Sequence, residues 1–390
     1  MNYNQSTSFN ARKNYSTEGF FKKIYGYIIN LIQKNPQIYN KDTNKKIQDS
    51  FNYYASYYQE KFNYHVKEPS TSKTGIINLL NDCYIISFLQ ILFHTPNFID
   101  ILKLHNNKKQ GEDIIYYLIM VSEYPFNAEI FYNFKQLLGL INPDYAKPCP
   151  NDSQEFGIDL IAYLSSETKM EIYKNNINFE FNSNYDIDFI NSKKIKKIIY
   201  ENFVSSYQKD INEIEKLFLF NEIDTFCGEK NRPPKISSNL HMELTFQKYE
   251  VYVNLETLLQ NKYNKDITKL GQNQNIIIRK IINLPEILII SIYRKLSNER
   301  INTTRLLFKD TLDLKEYIDF DLFEDSNKRT TYKLYAINEC VKTERNSHYI
   351  CYIRLQNQWF IFDDDKKVKE INGLLQDSPF IVGLFYQRDK

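Results

Sequence analysis

The spacing of apolar residues divides this chain into a helical first part and a strand-rich second part. Helical patterns cover residues 20–33 and 46–62, and a polar break at 68–73 separates them from the rest of the chain. A helical period continues from 75 to about 165, whereas beyond Leu284 the period approaches two, in segments rich in Ile, Tyr, Phe and Val. These segments are 287–294, 332–341, 348–355, 359–363 and 380–387. Helices followed by antiparallel strands predict an α+β fold with its cleft between the two halves.

Two helix starts are marked by polar residues that can act as caps. One helix is predicted with Cys83 in its first turn and Asn81 or Asp82 as its cap. The apolar side chains that come after it have the i, i+3, i+4, i+7 spacing of one helix face, at Ile85, Phe88, Leu89 and Leu92. A second helix is predicted from Asp152, because Glu155 three residues later completes a capping-box-like pair.

Composition limits which class of protein this chain can belong to and which classes of partner it can bind. The chain has 390 residues, enough for one large domain or two small ones, and its net charge is +2 from 50 basic and 48 acidic residues. A chain so nearly balanced does not have the basic excess of a general nucleic-acid binder. The sequence contains no run of 18 apolar residues and no apolar signal-peptide core at its start. We therefore expect a soluble intracellular protein that binds neither nucleic acid nor membrane.

The cysteines and one cluster of lysines indicate the cellular compartment of the protein. The five cysteines are scattered and odd in number, which favours thiols in a reducing compartment over a disulfide framework, and so the cytoplasm. The cluster Lys193, Lys194, Lys196, Lys197 has two interpretations. It is either a nuclear-targeting signal, which would add the nucleus, or the solvated face of a helix carrying Ile195, Ile198 and Ile199.

Cys83 is the first candidate for chemistry. At the first turn of a helix, unpaired backbone N–H groups and the helix dipole favour a thiolate. Position alone also fits a buried, inert cysteine, and the helix pattern leaves this alternative open.

His348 and Asp363 form the second candidate. In a hairpin whose turn centres between Leu355 and Gln356, residues that face each other have numbers that sum to 711. The numbers 348 and 363 meet this condition, so the Cβ atoms of these two residues would lie roughly 5 Å apart. The carboxylate then accepts a hydrogen bond from one ring nitrogen and leaves the other facing the cleft. The turn position is an assumption, and a one-residue slip places the two side chains on opposite faces.

Five segments in order resemble the ubiquitin-specific proteases. Residues 75–93, GIINLLNDCYIISFLQILF, are similar to the Cys box of that family, and NDSQEF (151–156) to its Q-D-x-x-E-F helix start. LPEILIISIYRKL (284–296) and the final FIVGLFYQR (380–388) resemble two of its strands. The segment around His348–Tyr349 resembles the His box, including its W-x-x-F-D-D signature at Trp359, Phe362, Asp363 and Asp364.

This resemblance implies a fold and a domain layout. It implies a papain-like cysteine protease fold of the ubiquitin-specific protease type, with a helical thumb, an antiparallel β palm and a fingers region. We expect an N-terminal extension at 1–70, partly disordered or helical, and a catalytic domain at 71–390 with its fingers-like region at about 168–283.

The resemblance also implies a role for each matching residue. Cys83 is the nucleophile and His348 the general base that later donates its proton to the leaving amine. Asp363 orients the imidazole, and Asp364 is the alternative carboxylate. Asn78, with the backbone N–H of Cys83, is expected to stabilise the oxyanion.

The expected substrate is the C-terminal tail of ubiquitin, extended, Arg-containing and ending in Gly-Gly, so the partners are ubiquitin and ubiquitinated proteins. Asp152 matches the family Asp that pairs with a tail Arg, and it can also cap its helix. Tyr349 either lines the tail channel or is an ordinary sheet aromatic. The predicted activity is thiol-dependent hydrolysis of the (iso)peptide bond after the last Gly of ubiquitin.

Three departures from the family pattern keep alternatives open. Leu80 and Asp82 replace the usual Gly and Thr, and an acid beside Cys83 disfavours the thiolate unless it points away to cap the helix. Ser347 replaces the Gly before the histidine. The chain has no C-x-x-C pair, so we predict no zinc and no cofactor. A catalytically weak ubiquitin-binding scaffold and a protease for a ubiquitin-like modifier are the alternatives.

Overall fold

The computed structural model describes residues 74–105, 113–167, 193–207, 211–227, 234–263, 266–270, 273–294, 301–323, 329–342, 347–373 and 377–389. The N-terminal extension at 1–70, with its helical patterns at 20–33 and 46–62, lies outside these residues. The described elements that form the large sheet and the candidate site belong to one structural unit, which comprises residues 70–125 and 130–390.

The first part of the described chain is helical, as predicted. Its helices are α1 (Cys83–Phe93), α2 (Phe98–His105), α3 (Ile114–Glu123), α4 (Ala128–Leu138) and α5 (Ser153–Glu167). Helix α1 has Cys83 in its first turn, as predicted, and is buried along nearly its whole length. A Cβ on Gly157 of α5 would lie 2.1 Å from the Phe88 ring, so a glycine lets α5 approach α1 closely.

In these same ranges, no single helix has both the length and the apolar character needed to cross a membrane, although α1 and α2, bent by 92° at their junction, reach that threshold as a pair by length and composition.

A middle region precedes the large sheet and contains both helices and strands. Its elements are α6 (Lys193–Tyr207), α7 (Glu213–Phe218), β1 (Phe220–Cys227), β2 (Lys235–Asn239), β3 (Met242–Thr245), β4 (Tyr252–Asn254), α8 (Leu255–Tyr263), β5 (Asp266–Leu270) and β6 (Asn273–Asn283). Four of the strands form a sheet in the order β2-β1-β6-β5. The sequence pattern gave no clear assignment here, and the fingers-like region at about 168–283 stays a prediction.

The second part of the chain is dominated by strands, as predicted. They are β7 (Ile287–Tyr293), β8 (Arg305–Leu307), β9 (Thr311–Asp313), β10 (Thr331–Lys342), β11 (Ser347–Leu355), β12 (Gln358–Phe362), β13 (Lys369–Ile371), β14 (Asp377–Ser378) and β15 (Ile381–Arg388), with a 3-10 turn at Lys315–Tyr317. The large sheet has the order β13-β12-β11-β10-β15-β7-β3, with β9 also pairing with β10. All five predicted strands are present in it.

One pairing in the large sheet differs from the antiparallel prediction. Strand β3 pairs with β7 in parallel, with Met242 opposite Ile290. A parallel pair needs a long crossover between its strands. The chain supplies one, because β4, α8, β5 and β6 all lie between β3 and β7.

Buried polar contacts hold the helical part against the large sheet. Ser153 Oγ donates to the backbone carbonyl of Tyr84 at 2.8 Å and accepts from Asn338 Nδ2 of β10 at 2.8 Å. The Thr95 and Tyr335 hydroxyls also meet at 2.8 Å. Because these groups are buried, losing one partner would leave another unsatisfied, so the contacts fix α1 and α5 relative to β10.

Candidate active site

The loop before α1 lies directly against the segment that comes after β12. The N–H of Ile76 donates to the backbone carbonyl of Asp364 at 3.1 Å. A Cβ on Gly75 would lie 2.0 Å from that same carbonyl oxygen, so only glycine allows this approach. Asn81, farther along the loop, has a φ of 55°, a left-handed conformation that asparagine tolerates better than most residues. This arrangement brings the Cys box to the His box.

Cys83 is the first residue of α1, and the residue is 8% exposed. Asp82 occupies the N-cap position, but its side chain makes no capping hydrogen bond, so the predicted cap is wrong for Asp82. The carboxylate instead accepts from the N–H of Leu80 at 3.0 Å and from the ammonium of Lys135. Complete burial raises the pKa of Asp82, and the charge of Lys135 opposes that rise.

The β11–β12 hairpin has a different register from the one predicted. Leu355 lies opposite Gln358, so paired positions sum to 713 and the turn consists of Gln356 and Asn357. Both turn residues have positive φ, 50° and 69°, as in the two-residue turns that match strand twist. His348 and Asp363 are therefore not cross-strand partners. The pairing is shifted by two positions, however, so each side chain stays on the face of the sheet that was predicted for it. Asp363 lies just beyond the end of β12.

His348 and Asp363 nevertheless form a hydrogen bond, with Nε2 and Oδ1 2.7 Å apart. The second Asp363 oxygen accepts from Lys366 at 2.7 Å. The bond with His348, supported by Lys366, lowers the pKa of Asp363 to about 2. Asp363 thus stays ionised and engages Nε2, which leaves Nδ1 as the ring nitrogen available to a thiol.

The imidazole of His348 also interacts with the Cys83 side chain. Hydrogen bonding with Asp363, and to a smaller degree with Cys83, raises the pKa of His348 to about 10, while partial burial opposes the rise. At neutral pH the ring is therefore protonated and held between a carboxylate and a sulfur. The fold thus brings together the thiol, imidazole and carboxylate that the sequence predicted.

Asp364 and Asn78 form a second polar pair beside the first. Asn78 Nδ2 donates to Asp364 Oδ2 at 2.8 Å, and Asn78 Oδ1 accepts from the N–H of Asp82 at 3.2 Å. His348 Nε2 lies 4.0 Å from Asp364 Oδ2, farther than from Asp363. Burial raises the pKa of Asp364, and the bond from Asn78 opposes that effect. Asp363 is therefore the nearer partner of the ring, and Asp364 orients the Asn78 amide.

Asp152 and Tyr349 lie near each other at the start of α5. Asp152 is exposed, and its carboxylate accepts from the N–H groups of Gln154 at 2.7 Å and Glu155 at 3.1 Å, which is the predicted helix cap. Tyr349 lies opposite Cys340 in the sheet and is 8% exposed. Burial is the main cause that raises the pKa of Tyr349, followed by the charge of Asp152. Tyr349 thus packs as a buried sheet aromatic next to the exposed Asp152.

The site also contains the group of residues that could hold a metal ion. Within the described ranges, potential ligand atoms of His348, Asp363 and Asp364 lie within 4.8 Å of one another. The shortest contact in this group is the hydrogen bond between His348 and Asp363. A metal here would have to replace that bond. The geometry therefore fits a hydrogen-bonded pair of His348 and Asp363 better than a set of metal ligands.

Comparison with known proteins decides the family. The model of the family described as "Ubiquitin carboxyl-terminal hydrolase" matches residues 74–386. The chain belongs to this family. Ubiquitin carboxyl-terminal hydrolase 16 of Arabidopsis thaliana is 32% identical over 114 residues, which are 28% of this chain and 11% of that protein. The chain thus matches only a small part of that curated relative's length.

Two solved structures share the fold of this chain. A yeast SAGA DUBm structure aligns with a TM-score of 0.60 and 19% identity, covering 83% of this chain and 71% of that one. The SAGA Ubp8/Sgf11/Sus1/Sgf73 DUB module bound to ubiquitin aldehyde aligns with a TM-score of 0.56 and 19% identity, covering 86% and 74%. The predicted α+β fold of the ubiquitin-specific protease type is confirmed.

Lys135 is the residue of the site that sequence reasoning missed. It lies on α4 and is 4% exposed, a rare environment for lysine unless the charge is paired. The sequence contains a signal for it, because Phe131, Phe134 and Leu138 mark the buried face of α4 and Lys135 occupies the same stripe. A lysine on an apolar stripe predicts a buried acidic partner, which Asp82 provides.

Proposed function

We propose that this protein is a thiol-dependent deubiquitinase that hydrolyses the (iso)peptide bond after the C-terminal Gly of ubiquitin. The observation that carries the proposal is the convergence of Cys83 with the distant His348–Asp363 pair, in a chain of the ubiquitin carboxyl-terminal hydrolase family. An imidazole held by a carboxylate on one side and a thiol on the other is the arrangement that nucleophilic catalysis by cysteine requires.

The reaction can be derived from the protonation state of the site. Cys83 Sγ attacks the carbonyl carbon of the scissile bond while the proton of the thiol resides on His348 Nδ1. The imidazolium then gives this proton to the leaving amine as the carbon–nitrogen bond breaks, which leaves a thioester on Cys83. Water attacks the thioester, His348 accepts a proton from it, and the carbon–sulfur bond breaks to release the carboxylate. Asp363 keeps the ring oriented through both halves of the cycle.

Stabilisation of the tetrahedral intermediate is proposed to come from Asn78 and the backbone N–H of Cys83. The amide nitrogen of Asn78 is a donor with two hydrogens, and it donates to Asp364. Asp364 and the N–H of Asp82 hold the two ends of this amide, so its orientation is set before substrate arrives. Such preorganised donors stabilise charge that develops in the transition state.

Ubiquitin and its conjugates are the proposed partners. The carboxylate of Asp152 is exposed at the start of α5, close to Tyr349, and it can pair with an arginine of an extended tail while it keeps its cap bonds. Two SAGA structures of similar fold, one bound to ubiquitin aldehyde and one to monoubiquitin, support this choice. The balanced charge of the chain supports the absence of a nucleic-acid partner.

A ubiquitin probe with a C-terminal electrophile tests the proposed function. We expect covalent labelling of the full chain that disappears in Cys83→Ala and persists in Cys149→Ala, which changes a partly exposed cysteine. Release of a fluorophore from the ubiquitin C-terminus should show the same dependence. Ubiquitin binding without labelling or turnover would favour the scaffold alternative, and labelling only by a ubiquitin-like probe would change the substrate.

The proposed location is the cytoplasm. Cys83, Cys149 and Cys351 are thiols, which supports a reducing compartment. In the lysine cluster, Lys197 pairs with Glu201 on the same helix at 3.8 Å, which supports the solvated-face interpretation over a nuclear signal. Fluorescence microscopy of the tagged chain, with the four lysines of the cluster changed to glutamine in a second version, separates the two interpretations.

A further inference from the structure

A buried ion pair lies immediately beside the proposed nucleophile. Asp82 precedes Cys83 and is 0% exposed, and its partner Lys135 is 4% exposed. Their side chains are in direct contact through Lys135 Nζ and Asp82 Oδ1. Removing one member of a buried pair leaves the other charge without compensation, so each of these residues requires the other.

Asp82 connects this pair to both proposed oxyanion donors. Its second carboxylate oxygen accepts from the N–H of Leu80 at 3.0 Å, and its own N–H donates to Asn78 Oδ1 at 3.2 Å. Its carbonyl accepts from the N–H of Ile86 at 2.9 Å, the first bond of α1. The residue therefore fixes the loop that carries Asn78 and the helix start that presents the N–H of Cys83.

We infer that Lys135 is a positioning residue for catalysis, which holds the oxyanion-stabilising loop through Asp82. The contacts form a continuous path from Lys135 to Asp82, from Asp82 to Asn78, and from Asn78 to Asp364. Lys135 does not touch the reacting atoms. Its ammonium contacts the Asp82 carboxylate and holds it in place, and so sets where the loop donors point. The inference rests on the proposed function.

The effect should fall on turnover more than on binding. Donors aimed at the oxyanion interact with the transition state more strongly than with bound substrate, so their displacement lowers kcat while KM changes little. A displacement of about 1 Å at such a distance from the chemistry can cost up to about a hundredfold in rate. Lysine-to-methionine keeps most of the length and apolar stem of the side chain and removes only the charge.

The test is a double-mutant cycle on the full chain with a fluorogenic ubiquitin substrate. We expect Lys135→Met to lower kcat at least about tenfold with KM within about twofold of the wild type. The double variant Lys135→Met/Asp82→Asn should recover kcat to within about threefold, because a neutral amide still accepts from the N–H of Leu80 and needs no cation. The matched control is Lys147→Met, which removes an exposed lysine paired with Asp144 and should leave kcat unchanged.

Thermal unfolding of each variant separates positioning from mere stability. If Lys135→Met does not fold, Asp82→Asn alone and the double variant still decide the matter, since the double variant should then be the more active of the two. A folded Lys135→Met with wild-type kcat, or a double variant no more active than the single variants, would overturn the inference. An inactive wild type would instead refute the proposed function, and Lys135 could then have no positioning role in catalysis.

Discussion

His348 Nε2 lies 2.7 Å from Asp363 Oδ1, although the two residues are not cross-strand partners in the hairpin that carries them. Strand β12 ends at Phe362, and the chain then turns through Asp364, whose φ is 50°. That turn presents the two consecutive carboxylates to different partners. Asp363 bonds to the imidazole and Asp364 bonds to Asn78, so adjacent residues have separate roles.

The separate roles predict unequal effects of removing the two charges. Asp363→Asn should lower kcat/KM by about a hundredfold to ten-thousandfold, because an amide does not stabilise the imidazolium or fix its tautomer. Asp364→Asn should cost only about tenfold, since it weakens a charge-assisted bond that orients Asn78. Steady-state kinetics with a ubiquitin substrate measures both, and each variant is the control for the other. Equal losses, or a larger loss for Asp364, would contradict the assignment.

The pKa of His348 predicts where activity is lost at high pH. Because the pKa is raised to about 10, the imidazolium that donates to the leaving amine persists through neutral pH. As pH rises through about 10 the ring loses its proton, so kcat/KM should fall there. In Asp363→Asn the largest cause of the raised pKa is absent, and the alkaline limb should move to lower pH. A pH profile that is the same in both proteins would show that Asp363 does not control the ring.

Removing the proposed oxyanion donor should affect turnover. Asn78→Ala is expected to lower kcat by about a hundredfold to a thousandfold with little change in KM, the size of effect seen when one donor of an oxyanion hole is deleted. Asn142→Ala is a suitable control, since Asn142 accepts from the N–H of Asp144 in a turn after α4. If KM rises and kcat is kept, Asn78 acts in substrate binding instead.

Asp152 offers a way to separate charge from helix capping. Asp152→Asn keeps a side chain that caps as well as aspartate does, but it removes the charge. We expect KM for the ubiquitin substrate to rise about threefold to tenfold with unchanged stability. Asp152→Ala should show the same rise and also lower the free energy of unfolding by about 1 kcal/mol. Asp144→Asn, another exposed acid, should change neither. An unchanged KM in Asp152→Asn would remove Asp152 from the tail site.

The turn between β11 and β12 can be made more stable by substitution. Gln356 and Asn357 both adopt positive φ, where Asn-Gly is the preferred pair. The double change Gln356→Asn/Asn357→Gly should raise the free energy of unfolding by about 1 kcal/mol, measured by urea denaturation. Asn357→Val should lower it, because a β-branched residue fits that conformation poorly. No gain in the first variant together with no loss in the second would show that the backbone of this turn is not under strain.

Local patterns account for most of the correct predictions. The apolar stripe after Cys83 located α1, and period-two alternation located five of the seven strands that the described large sheet has after Leu284. Hydrophobic spacing carries this information because each face of a helix or strand must be buried or solvated as a unit. The middle region shows a mixed apolar pattern, and the parallel pairing of β3 with β7 depends on a crossover that no local pattern encodes.

The sequence by itself determined the candidate residues for the proposed chemistry, because a thiol, an imidazole and a group that orients the ring are what such a reaction uses in any fold. Only the tertiary structure decided how they are connected. The hairpin register depends on which two residues accept positive φ, and this backbone choice moved the predicted pairing by two positions. The partner of Asp82 lies 53 residues away on another helix, and a buried charge selects its counter-ion by proximity in space.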